Sequence, residues 1–228
     1  KVQSTAKILY TIYIILTIVE IIFLLIGKMP LFDTLCLSFG TAGTGGFGVK
    51  NDSIASYSTY NQVVITVFMI LFGINFNAYY LLLTKKVMQA AKNEEVRYYL
   101  GIIGLAIVAI AINTREMFTS FGSAFQQAAF QVGSIITTTG YATTDFNVWP
   151  VFSKTILVIL MFVGACAGST GGGIKVSRFI VMVKTMIKEL NSYIHPKSVK
   201  KIKMDDKPIE HEVVRSINVY LSLIHISE

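Results

Sequence analysis

Gly43-Thr44-Gly45-Gly46-Phe47-Gly48 and Thr137-Thr138-Thr139-Gly140-Tyr141 decide how the rest of this chain reads. With Gly46 set on Gly140, Phe47 falls on Tyr141, Thr44 on Thr138 and Gly43 on Thr137. Each stretch closes a short apolar segment, 31–41 before the first and the amphipathic 117–136 before the second. Each is followed by a polar return and then a long apolar run. A glycine beside an aromatic, after small hydroxyl residues, suits a backbone that turns its carbonyls toward one axis. Ion filters replace a cation's water shell in this way. The competing reading is an ordinary interhelical turn, but ordinary turns do not repeat with Thr, Gly and the aromatic in register. The C-terminal ends of the two short helices would point partial negative charge at the loops, which favours a cation there. No acidic residue lies in either loop, so Thr44, Gly45, Thr138 and Thr139 would hold the ion through carbonyl and hydroxyl oxygens. Such a site suits a weakly hydrated monovalent cation better than Mg²⁺ or Ca²⁺.

Outward from the loops, residues 8–26 match the ~20 apolar residues that cross a bilayer core. Glu20 interrupts them, and a lone carboxylate with no visible partner says little about its role. Residues 60–83 read as a second span, 85–97 as a charged connector and 98–112 as a third span. Gln126, Gln127 and Gln131 share one side of the segment before the second loop. Trp149 is placed where an interfacial aromatic would sit. Residues 151–190 start as a span and break at 164–173. The expected fold is therefore all-α: a polytopic membrane protein of repeated helix–pore-helix–helix units with re-entrant loops. Its expected segments are a unit at 1–84, a connector at 85–97, a unit at 98–190, a basic connector at 191–212 and the start of a further span at 213–228. Two units do not close a ring around one axis, so either copies of the chain assemble or more units exist beyond these residues. Lys1 stands where an initiator Met is absent, and we expect the chain to begin partway through a longer protein.

Composition agrees with the membrane class. Of 228 residues, 53% are hydrophobic and 14% charged, against about 25% charged in a soluble domain. The net charge of +7 is unevenly placed. Sixteen of the 20 basic residues fall on the side opposite the glycine loops, including Lys85, Lys86, Lys92 and Arg97. Only Lys28, Lys50, Arg115 and Lys154 fall on the loop side. That asymmetry puts the connectors in the cytoplasm and the loops outside, and it argues against a nucleic-acid partner. Cys36 and Cys166 lie in apolar segments without metal-ligand spacing and read as packed free thiols.

Two other motifs fail on context. Residues 43–48 match G-x-G-x-x-G but lack the preceding strand, the following helix and the acidic residue that dinucleotide binding needs. Residues 168–175 resemble a phosphate loop, but Ile174 separates the last glycine from Lys175 and Val176 follows it. The break at 164–173 keeps a meaning of its own. Each glycine disfavours helix by about 1 kcal/mol relative to Ala, so Gly164, Gly168, Gly171, Gly172 and Gly173, with Ser169 and Thr170, should unwind the helix below the second loop. Close packing by small residues is the bland alternative. Lys175 ends the break, where it would hold off cations. His195, His211 and His225 all lie in the C-terminal stretch, and nothing forms a catalytic constellation, so no enzyme is expected. Asn51-Asp52-Ser53 is a glycosylation sequon, meaningful only in a secretory-pathway organism.

Gly-Thr-Gly-Gly-Phe at 43–47, Ser-Ile-Ile-Thr-Thr-Thr-Gly-Tyr-Ala-Thr-Thr-Asp-Phe at 134–146 with Trp149-Pro150, and Gly-Ala-Cys-Ala-Gly-Ser-Thr-Gly-Gly-Gly-Ile-Lys-Val at 164–176 closely resemble the Trk/Ktr superfamily of potassium uptake proteins. His195-Pro196 with the basic stretch after it, and Glu212-Val213-Val214, fit as well. Bacterial Trk and Ktr pore subunits fit best. The resemblance implies four helix–pore-helix–helix units around one pore, of which this chain would hold the second and third. It implies Gly46 and Gly140 as filter glycines, with carbonyls of 43–46 and 137–140 lining the K⁺ site and Phe47 and Tyr141 as the flanking aromatics. It implies residues 164–173 as a gating loop. It further implies a homodimer in the bacterial inner membrane, surrounded by lipid, with a cytoplasmic nucleotide-binding regulatory subunit facing 195–207. No cofactor is implied, K⁺ being the transported ion. The ending 222–228 departs from the family pattern. A Na⁺-permeable or Na⁺/H⁺-coupled relative and a non-conducting membrane scaffold remain as alternatives.

Overall fold

The computed structural model describes residues 2–194, 202–205, 207–210, 212–217 and 219. His195, Pro196, His211 and the stretch 222–228 lie outside the described residues.

The first spanning-length apolar run forms α1 (Val2–Ile26). Lys28 then adopts φ 57° to reverse the chain, and Pro30, with φ −55°, sits at the N-cap of α2 (Leu31–Ala42). Proline suits that boundary because the first helical amides have no intrahelical partner anyway. Ser58 caps α3 (Thr59–Phe72) by accepting the Asn61 N–H at 3.3 Å.

The continuous span expected over 60–83 is in fact two helices. α3 and α4 (Phe76–Leu83) meet at 90° across Gly73-Ile74-Asn75. Local and tertiary terms both favour the bend. The Asn75 side chain accepts the Asn77 N–H at 2.9 Å, starting a fresh helix. The Phe76 N–H donates to the Gly168 carbonyl at 3.1 Å, so the first amide of the new helix finds its partner across the fold.

A short helix, α5 (Val87–Lys92), lies inside the charged connector. α6 (Glu94–Asn113) begins four residues before the expected position, because Asn93 caps it by accepting the Val96 N–H at 3.0 Å. After a 3-10 turn at Arg115–Met117, Ser120 caps α7 (Phe121–Ile136) through the Ser123 N–H at 3.2 Å. α8 (Val151–Val163) and α9 (Val176–Ile194) flank the expected glycine-rich break. A two-stranded hairpin follows, β1 (Lys203–Met204) and β2 (Lys207–Pro208), antiparallel with Lys203 opposite Pro208.

Two apolar cores result, one per unit. Leu24, Leu37, Ile65, Met69 and Phe72 anchor the first, and Tyr99, Ile110, Ile136, Leu157 and Val163 the second. Phe130 and Tyr141 belong to the second unit in sequence but sit in the first core, which joins the two. Trp149 is not an interfacial ring. It is buried in the second core and meets Phe118 edge-on, with centroids 6.5 Å apart. Ile14, Ile18 and Ile22 of α1 and Val158, Ile159 and Phe162 of α8 stay exposed, as helices facing hydrocarbon require. Among the described residues, Ala6–Ile26 and Glu94–Asn113 are long and apolar enough to cross a membrane, and the bent α3–α4 pair makes a third candidate path.

Candidate functional site

The two glycine loops leave α2 and α7 with the same hydrogen-bond register. Gly43, Thr44 and Gly45 donate their N–H groups to Phe39, Thr41 and Gly40 at 2.9, 3.1 and 2.8 Å. Thr137, Thr138 and Thr139 donate to Gly133, Ile135 and Ser134 at 3.2, 3.0 and 2.9 Å. Every pair in the second set is the first shifted by the offset that places Gly46 on Gly140. The hydroxyls match too: Thr44 Oγ1 donates to its preceding carbonyl at 2.8 Å and Thr138 Oγ1 to its own at 2.6 Å.

Backbone conformation repeats with them. Thr44 and Gly46 take φ of 50° and 69°, and Thr138 and Gly140 take 58° and 90°. A β-branched residue in the left-handed region is a genuine outlier, costing of order 1–3 kcal/mol. Finding one twice, at aligned positions, marks the geometry as specified. Because the amides of 43–45 and 137–139 are already spent on the helix ends, the loops present acceptors. Among the described residues no backbone N–H takes up the carbonyls of Thr44, Gly45, Gly46, Thr138, Thr139 or Gly140. Such a surface attracts a cation and repels an anion.

The loops also touch each other. A Cβ on Gly46 would collide with the Thr139 carbonyl, so only glycine lets the backbones approach this closely. Their return segments pair as well: Ile54 N–H donates to the Ala142 carbonyl at 3.0 Å and Ala142 N–H to Ser53 Oγ at 3.2 Å. The aligned aromatics part company. Phe47 is 84% exposed, whereas Tyr141 is buried with its hydroxyl donating to the Leu37 carbonyl at 3.1 Å. The three glutamines brace the second unit's return loop and the seam between units. Gln131 donates to the Thr144 carbonyl at 3.2 Å, Gln127 accepts from Thr143, and Gln126 donates to Gln62 of α3 at 2.9 Å.

The break at 164–175 lies directly against both loops. Gly172 N–H donates to Thr138 Oγ1 at 2.6 Å, and Thr44 Oγ1 lies 3.1 Å from the Thr170 carbonyl. Gly164, Gly168 and Gly173 take φ of 69°, 69° and 82°. A Cβ on Gly172 would fall 2.8 Å from Thr138 Oγ1, and one on Gly171 3.0 Å from the Thr137 carbonyl. These glycines are thus fixed by close approach to the loop above as well as by helix unwinding. Ser169 Oγ closes a local turn onto the Cys166 carbonyl at 2.6 Å. Lys175, itself at φ 84°, folds back and donates its ammonium to the Gly171 carbonyl.

Sequence reasoning missed the groups that hold the break in place. Cys166 N–H donates to the Gly73 carbonyl at 3.0 Å. Glu95, 3% exposed, accepts the Ala167 N–H at 2.6 Å and the Ser177 N–H at 3.3 Å through Oε1, and the Asn75 amide at 3.1 Å through Oε2. Read in sequence, Glu95 is one charge in a connector. Gly73-Ile74-Asn75, a breaker inside an apolar run, was the available signal. Glu20 is fully buried, and neither of its oxygens has a hydrogen-bond partner among the described residues.

Comparison with known proteins places the chain in a family. Residues 1–226 match the TrkH family of cation transport proteins. The chain belongs to this family. It is 34% identical over 224 residues to the Trk system potassium uptake protein TrkH of Vibrio parahaemolyticus, covering 95% of this chain and 46% of that protein. It is 30% identical over 221 residues to TrkH of Salmonella typhimurium and 31% identical over 221 residues to TrkG of Escherichia coli, covering 95% of this chain in each case and 46% and 45% of those proteins. The crystal structure of the potassium transporter TrkH from Vibrio parahaemolyticus superposes with a TM-score of 0.90 at 32% identity, over 96% of this chain and 48% of that one. The chain therefore spans about half the length of the TrkH-family proteins it matches, and the all-α membrane architecture read from the motifs is that of the family.

Proposed function

We propose that this chain contributes two helix–loop–helix units to a pore that takes potassium ions into the cell. The observation that carries the reading is the duplicated loop. The same register of spent amides and the same left-handed Thr and Gly recur in the two loops, with carbonyls at 44–46 and 138–140 that no backbone N–H among the described residues takes up. Thr44, Gly45, Thr138 and Thr139 supply the oxygens for K⁺. Further units of the same kind complete the ring. Residues 164–173, with Lys175 hydrogen-bonded back across them, form the barrier below the filter. The excess of Lys and Arg away from the loops supports filters outside and connectors in the cytoplasm of the bacterial inner membrane. A homodimer controlled by a cytoplasmic nucleotide-binding subunit fits the family.

The test is growth rescue of a potassium-uptake-deficient bacterium at low K⁺ by the complete gene with its regulatory partner. Rescue lost with Gly140→Ser supports the pathway. No rescue despite confirmed membrane expression overturns it, in favour of a Na⁺-selective relative or a scaffold.

A further inference from the structure

The first turn of α6 is tied in two directions. Toward the membrane interior, Glu95 binds both intramembrane breaks. Its Oε1 takes the amides of Ala167, inside the 164–175 loop, and Ser177, in the first turn of α9. Its Oε2 takes the side-chain amide of Asn75, the cap of α4. One carboxylate from a third helix thus serves as the N-terminal anion for α9, whose free amides carry partial positive charge. Toward the connector, Glu94 N–H donates to Asp205 Oδ1 at 2.7 Å and the Asn93 amide to Asp205 Oδ2 at 3.3 Å. Lys184 of α9 bridges the Glu94 carboxylate at 2.5 Å and the Lys203 carbonyl at 2.8 Å. Asp205 and Lys203 belong to the β1–β2 hairpin. Beside these polar ties, α9 and the segment after it meet around a cavity of about 530 Å³ lined by Arg178, Val181, Met204, Ile209 and Val213.

We propose that Asn93, Glu94 and Glu95 form a latch in which Glu95 is the positioning residue for the 164–175 loop. Displacement of the hairpin at Asp205 is transmitted through this turn and frees the loop. The proposal rests on the reading of that loop as the barrier of the pore. The mechanism follows from adjacency. Three consecutive residues on one helical turn cannot move independently, so pulling on Glu94 re-aims Glu95. Once Glu95 leaves the amides of Ala167 and Ser177, the neighbouring Cys166 thiol, buried in the described structure, becomes accessible.

Cys166 is the native reporter. In the complete pore subunit carrying Cys36→Ser, reconstituted in liposomes, the labelling rate of Cys166 by a small methanethiosulfonate reagent is measured alongside Rb⁺ uptake. Glu95→Gln keeps the shape but weakens a charge-assisted bond, so labelling should rise about tenfold. Glu94→Gln, on a partly exposed pair whose loss cannot unfold the protein, should raise it by a smaller factor. Asp205→Asn should match Glu94→Gln. Unchanged labelling in Glu94→Gln and Glu95→Gln, with Rb⁺ uptake intact, overturns the latch and leaves the pore reading standing. Faster labelling with Rb⁺ uptake raised in the same variants supports the latch, whereas no Rb⁺ uptake by the wild type together with its regulatory partner overturns the pore reading and the latch with it. If Glu95→Gln fails to fold, Glu94→Gln and Asp205→Asn decide alone.

Discussion

Replacing Gly46 and Gly140 separately by Ala separates backbone strain from close approach. Both residues sit in the left-handed region, at φ 69° and 90°, where an L side chain costs roughly 1–2 kcal/mol. Their surroundings differ. At Gly46 the new methyl meets the Thr139 carbonyl and the backbone carbons of Thr139 and Gly140, none of which can rotate away. Overpacking of that kind adds about 1–3 kcal/mol. At Gly140 a Cβ meets nothing within 4 Å. Gly46→Ala should therefore cost about 2–5 kcal/mol and Gly140→Ala about 1–2 kcal/mol. Because the Gly46 methyl pushes on the second loop, that variant should also disturb both sets of carbonyls. The assay is thermal unfolding of the detergent-solubilised complete protein, followed by Rb⁺ uptake with Na⁺ as competitor. Gly46→Ala should show the larger loss of stability and the larger gain in Na⁺ inhibition. A Gly46→Ala variant as stable as Gly140→Ala would refute the argument that contact between the two loops fixes the geometry.

Thr138→Val removes the oxygen that accepts the Gly172 N–H at a solvent-exposed contact, at a cost of about 0.5–1.5 kcal/mol. Thr138→Ser should restore it, and equal Tm for the two variants would count against the link. Tyr141→Phe loses the bond to the Leu37 carbonyl and should lower stability by about 1 kcal/mol, measurable as a Tm shift. Glu20→Gln preserves shape while removing an ionisable group with no hydrogen-bond partner, so Tm should hold or rise; a fall of several degrees would reveal a partner. On the polar return, burial first and then the adjacent Asp33 carboxylate hold the Tyr57 phenol above its ordinary range. The folded state therefore binds that proton more tightly than the unfolded state. The stability this contributes is full below about pH 10 and is lost as pH rises above it. The Tm advantage over Tyr57→Phe should be flat from pH 7 to about 10 and shrink beyond.

Local chemistry made much of this protein legible in advance. The paired loops were visible because a left-handed backbone selects glycine at Gly46 and Gly140, and selection at a turn acts on adjacent residues. The break at 164–173 was visible for the same reason, and the spanning runs at 8–26 and 98–112 because hydrocarbon demands unbroken apolar sequence. Tertiary contacts decided the rest. The bend between α3 and α4 holds because Gly168 and Cys166, some 90 positions away, complete the hydrogen bonds of Phe76 and Gly73. Phe47 and Tyr141 occupy aligned positions, yet only Tyr141 is buried, because the first unit's core lies under the second loop. Glu95 looked like one more connector charge until folding brought Asn75, Ala167 and Ser177 to its two oxygens. Sequence spacing fixes what neighbours along the chain can do. It carries no record of which distant amide a buried carboxylate will meet, since that depends on how the helices pack.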